Sequence, residues 1–169
     1  MNDAHWHLVV NHFPIIGTIF GLGILIVGFI LKSQTVKNTA YILFVVAAVF
    51  GFASMYTGEG AEEMVEDMPN IGHQIIHEHE ELAEKLAILL YALALVSVGS
   101  LYTAIKNHKL AKIFSLLTLI LAMVAVAVAT KVGTSGGEIR HTEIRDNALQ
   151  TPIYPNDKDV QINNEKREK

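Results

Sequence analysis

Cysteine is absent from the 169 residues. Without a thiol the chain forms no intrachain disulfide, no thiolate-bound zinc site, no iron–sulfur cluster and no covalently attached c-type haem. Any metal or cofactor must take its ligands from His, Glu, Asp or Met. Charge is missing from four long stretches: 13–31, 39–56, 86–105 and 113–130 contain no Asp, Glu, Lys or Arg. Acids are missing from the two short segments 32–38 and 106–112, which carry Lys32, Lys37, Lys106, Lys109 and Lys112. No Lys or Arg occurs before Lys32, so the start of the chain lacks the basic region of a secretory signal. The net charge of −4 and the lack of a basic stripe argue against a nucleic-acid partner.

What is present is apolar: 51% of the residues are hydrophobic. At about 1.5 Å per residue, each charge-free stretch crosses the roughly 30 Å of a bilayer's hydrocarbon. None has the polar face that a soluble helix needs. The expected fold is therefore all-α, a four-transmembrane-helix up-and-down bundle over 1–145. A polar tail over 146–169, with Pro152 and Pro155, reads as disordered. The two acid-free lysine loops face the cytoplasm by the positive-inside rule. That orientation is N-out and C-out, with periplasmic termini in a bacterial inner membrane. Asn11 can cap the first helix, with Pro14 in its first turn. Gly17 with Gly21, and Ala47 with Gly51, allow close helix packing.

The polar residues concentrate at the outer side. Segment 73–84, HQIIHEHEELAE, holds His73, His77, His79 and four glutamates and runs directly into an apolar stretch. It reads either as a cofactor rim or as a solvated helix end. His12 stands at the entrance of the first helix and His79 shortly before the apolar part of the third. Those two helices are diagonal in an up-and-down bundle, so His12 and His79 can ligate one haem iron from both sides. Gly17 and Ala83, one turn deeper, leave room for a flat macrocycle, and Lys131, Arg140 and Arg145 can pair with its propionates. A rival site uses Glu138 and His141, whose E-x-x-H spacing puts both on one helix face. Glu59, Glu62, Glu80 and His77 are further ligands for non-haem iron, zinc or copper. His5 and His108 read as surface histidines. A weak internal repeat runs through both halves: histidines, apolar stretch, lysine loop, apolar stretch, then a Gly-Glu motif. The apolar stretches carry no midplane charge, which weighs against a transporter.

Four motifs carry a family resemblance: His7-Leu8-Val9-Val10-Asn11-His12-Phe13-Pro14, Thr57-Gly58-Glu59-Gly60-Ala61-Glu62-Glu63, His79-Glu80, and Gly136-Gly137-Glu138-Ile139-Arg140-His141-Thr142-Glu143. With them the chain, from His7 to Arg145, resembles a bacterial family of four-helix membrane proteins without an established general function. The resemblance implies a membrane redox context, with Rieske-type or cytochrome c-type domains as companions, and it favours b-type haem. It singles out His7, His12, His79 and His141, with Gly60 standing where relatives often have proline. Three functions are thus open. One is a haem b electron-transfer protein with a cytochrome c or other redox partner. Another is a non-haem metal site at the outer rim. The third is a cofactor-free subunit of a larger membrane complex or homo-oligomer, held by membrane lipid.

Overall fold

The computed structural model describes residues 1–66, 68 and 71–145. The expectation of a disordered tail over 146–169 lies outside the described residues. Five α-helices follow one another: α1 (Asp3–Val10), α2 (His12–Ile30), α3 (Gln34–Val65), α4 (His73–Ile105) and α5 (Ala111–Arg140). A short 3-10 turn, Thr142–Ile144, closes the described chain.

The break between α1 and α2 has a local cause. Pro14 has no N–H for the carbonyl of Val10, and its ring crowds that carbonyl. Asn11 does not act as the cap that the sequence suggested. It keeps helical angles (φ −66, ψ −22) and its side chain caps nothing. Asn2 caps α1 instead, its side-chain oxygen accepting from the His5 N–H at 3.0 Å. Beyond the break α1 leans onto α3.

Both lysine loops close their helices in the same way. After α2, the Ser33 N–H donates to the Gly28 carbonyl at 3.0 Å and Lys32 N–H to Phe29 at 3.2 Å. After α4, His108 N–H donates to Thr103 at 2.8 Å and Asn107 N–H to Ala104 at 3.2 Å. These are two Schellman caps. Their left-handed positions are Lys32 (φ 52) and Asn107 (φ 48), where glycine is the usual residue. The shared cap gives the internal repeat a structural counterpart.

α2, α3, α4 and α5 are long and apolar enough to cross a membrane, with α1 extending the first of them. They form an up-and-down bundle in which α2 and α4 each pack on α3 and α5. α2 and α4 therefore stand diagonally. Leu25, Ala40, Tyr41, Phe44, Leu93, Ala122 and Ala125 fill one part of the core, and Ala48, Leu86, Leu90, Ala129 and Val132 another. Phe20, Phe52, Ile88 and Leu95 point outward, as a lipid-facing surface requires. Small residues set the α2–α3 distance. A Cβ on Gly17 would stand 3.3 Å from the Ala47 Cβ, and one on Gly21 only 2.5 Å from the Phe44 ring.

The interior also contains hydroxyls. Tyr41 donates to Ser115 at 2.7 Å, and Ser100 meets Thr118 at 2.8 Å. Such bonds join helices where no water competes. α3 and α4 run 32 and 33 residues. At about 1.5 Å per residue they outreach the roughly 30 Å of hydrocarbon, so their ends carrying Glu62 and His79 stand beyond the charge-free stretches.

Candidate functional site

The histidine end of the bundle is assembled by α1, α3, α4 and α5. His7 lies on α1, which faces α3. Its Nδ1 is 3.0 Å from the carbonyl oxygen of Ser54. A carbonyl only accepts, so Nδ1 carries the hydrogen and Nε2 carries the lone pair. Thr57 Oγ1 is 3.4 Å from the same Nδ1 and donates its own hydrogen to the carbonyls of Ala53 and Ser54.

His79, on α4, repeats this arrangement against α5. Its Nδ1 is 2.9 Å from Ser135 Oγ. Ser135 Oγ also reaches the Val132 carbonyl at 3.1 Å, so with its hydrogen placed there its oxygen accepts from the ring. In that arrangement His79 holds hydrogen on Nδ1 and presents a lone pair at Nε2. A glycine lies beside each ring. A Cβ on Gly58 would be 3.6 Å from His7 Cε1, and one on Gly136 only 2.9 Å from His79 Cε1. His–hydroxyl–glycine thus occurs once per hairpin, which gives the internal repeat chemical content. Both imidazoles are half-buried and near enough to interact electrostatically. Asn11 sits one turn beyond His7 on the same helical side, and its Oδ1 is buried with no hydrogen-bond partner among the described residues.

No family model, no curated protein and no solved structure matches the chain. The site has to be read from its own geometry.

His12 lies within electrostatic reach of His7 but takes a different hydrogen-bond partner. It is exposed, and its Nδ1–H donates across the break to the Leu8 carbonyl of α1 at 3.1 Å. It lines a separate apolar groove of about 420 Å³ between α2 and α3. Gly17 packs against Ala47 at the floor of that groove, and Ala83 packs into the core beside Leu86. Neither glycine nor alanine is set beside the His7–His79 pair to make space for a ring.

The other candidates scatter. His77 faces solvent, with Glu80 at 3.7 Å and Glu81 at 3.5 Å on its own helix. Glu62 on α3 lies within electrostatic reach of Glu59, Glu66, Glu80 and His77, an acidic cluster at the α3–α4 ends. Glu138 is half-buried near the end of α5. His141 caps that helix with non-helical angles (φ −97, ψ 86), so the E-x-x-H residues do not share one helix face. Its Nδ1 pairs with Glu143 at 2.8 Å. The backbone N–H of Glu143 itself, and then the His141 ring, hold the Glu143 carboxyl below the usual range. Gly136 and Gly137 do not break α5, which continues to Arg140.

Of the three cations offered for propionates, Arg145 binds the carbonyls of Glu138 and Ile139 at 2.7 and 2.9 Å. Arg140 reaches Met68 Sδ at 3.3 Å, and Lys131 is exposed. Among the described residues no three His, Asp or Glu side chains converge to hold a metal ion. Sequence reasoning missed Ser54 and Ser135 as the partners of His7 and His79. The signal available was the hydroxyl or glycine before each Gly-Glu motif.

Proposed function

We propose that this chain is a membrane-anchored electron-transfer protein that holds b-type haem at its histidine end, with His7 and His79 as the axial ligands. One observation carries the reading. Two imidazoles within electrostatic reach of each other are both held at Nδ1, His7 by the Ser54 carbonyl and His79 by the Ser135 hydroxyl, which leaves Nε2 of each ring to meet a ligand. A metal-ligating histidine takes this form, because the bond at one nitrogen fixes the tautomer and orients the other. A haem iron needs only two protein ligands, since the porphyrin supplies the remaining four donors. A non-haem ion takes three or more side chains.

When bound, the haem supplies one-electron chemistry, with a potential set by its axial ligands, its burial and the hydrogen bonds around it. The chain's own residues do the rest. Ser54 and Ser135 orient the rings and raise their basicity. Gly58 and Gly136 let each ring lie against a helix backbone. The unpartnered Asn11 Oδ1, one turn beyond His7, supports a polar guest there. The motif resemblance points the same way. The reading sets the histidine end in the periplasm of a bacterial inner membrane, within reach of a cytochrome c or other redox partner.

The test is haem stoichiometry in the protein purified from a haem-supplemented host, by pyridine haemochrome assay beside elemental analysis. The expected result is extractable haem b, lost in His7→Ala and in His79→Ala and kept in His12→Ala and His141→Ala. Stoichiometric metal without porphyrin, lost in Glu62→Gln or Glu80→Gln, overturns the reading in favour of the acidic cluster.

A further inference from the structure

The groove between α2 and α3 has no role in the site just described. It has a floor of small residues, Gly17 against Ala47, between large ones. At its outer end Phe13 and Phe50 stack with ring centroids 4.5 Å apart and planes 20° apart. Phe20 lies at the deeper end. Phe13 and Phe20 are exposed, so the groove opens sideways, toward the lipid. Among the residues of its wall His12 is the single polar one.

The His12 ring is held by the end of α1. With Nδ1–H donated to the Leu8 carbonyl, the ring presents a lone pair at Nε2. That atom accepts a hydrogen bond. It is the hydrogen-bonding group of a groove that otherwise suits a hydrocarbon. An acyl chain offers it no donor. A flat ring bearing a hydroxyl at one end and an isoprenoid tail at the other satisfies every part: the hydroxyl on His12 Nε2, the ring beside the Phe13–Phe50 stack, the tail past Gly17 and Phe20 into the bilayer. His12 is also near enough to His7 to interact with it electrostatically.

We infer that this groove is a binding site for the ring of a membrane quinol, with His12 accepting the hydrogen bond of its hydroxyl. The inference rests on the electron-transfer reading for its biological sense, since it sets a lipid-soluble electron carrier beside the proposed haem ligand His7. Its chemistry stands on the groove alone. The tautomer makes the site selective for the quinol, which donates, over the quinone, which cannot.

The experiment uses the full-length protein in lipid nanodiscs and a photoreactive azidoquinol of short tail. Labelling should map to residues 9–20 and 43–50. Decylubiquinol should suppress it at lower concentration than either decylubiquinone or methyl decanoate. His12→Phe should weaken the competing quinol roughly threefold to tenfold, the worth of one hydrogen bond. Val46→Phe should block labelling by filling the groove. Val46 is 42% exposed, so the larger ring meets lipid and not core. Circular dichroism of both variants checks that the bundle is intact. Equal competition by methyl decanoate, which has no donor, shows a site for acyl chains only and overturns the inference. So does labelling elsewhere, or labelling unchanged in both variants. Haem content measured on the same nanodiscs separates the two readings. Labelling without haem sinks the haem site and keeps the groove. Haem without labelling does the reverse.

Discussion

Gly136→Ala sets two effects of similar size against each other. In a helix interior alanine is better than glycine by about 1 kcal/mol. α5 is helical throughout this region, so that gain applies in full. Opposing it, the new Cβ would stand 2.9 Å from His79 Cε1 and 3.5 Å from both ring nitrogens. The ring has to turn away, which breaks its 2.9 Å bond to Ser135 Oγ. The lost bond is worth about 1 kcal/mol, and an off-rotamer imidazole costs about 0.5–1.5 kcal/mol more. Net stability then falls by only about 0.5–1.5 kcal/mol. Haem affinity should fall much further, by about 10–100-fold, because the ligand has lost the bond that orients it. Haem titration of the apoprotein, with denaturant unfolding of the same preparation, reads both quantities. Gly133→Ala is the control. Its Cβ would meet only Ile15 at 3.7 Å, an ordinary contact, so it should gain stability and bind haem normally. If Gly136→Ala binds haem like the parent chain, the His79–Ser135 geometry is not what holds the ligand.

Other outcomes follow from the same structure. Ser135→Ala removes the acceptor of His79 and should weaken haem about 10–100-fold in the same titration. Thr118→Val deprives Ser100 of its 2.8 Å partner and should destabilise the bundle by about 0.6 kcal/mol, the average for such bonds in a membrane, with haem binding unchanged. Lys32→Gly relieves a left-handed position and should stabilise by about 1 kcal/mol, measured by the same unfolding. A reporter active only in the cytoplasm, fused after residue 146, should be silent; a strong signal would invert the bundle.

The bundle was legible because its signal is coarse. Four charge-free stretches and two lysine loops suffice for helix number and order, and short loops suffice for the diagonal placing of α2 and α4. Gly17, Gly21 and Ala47 announced the α2–α3 contact by their spacing. Which histidine meets the Ser54 carbonyl was not legible. His7 and His12 are five residues apart on neighbouring helical segments, and depth along the sequence favoured His12. The break at Asn11 sets them apart, because it turns α1 onto α3 and brings His7 to Ser54. Nothing in a linear pattern states which carbonyl a ring will meet. The E-x-x-H spacing misled for a similar reason: α5 ends at Arg140, one residue before the histidine the motif needs. Buried hydroxyls such as Ser100 and Thr118 were hidden in stretches read only for their lack of charge.

The most direct measurement is the near-infrared magnetic circular dichroism of the oxidised, haem-loaded protein, since the low-spin charge-transfer band reports the identity of both axial ligands. The account predicts the bis-histidine band in the parent chain and in His12→Ala, and its loss in His7→Ala and in His79→Ala. A bis-histidine band that survives His7→Ala, or one that vanishes in His12→Ala, would contradict it.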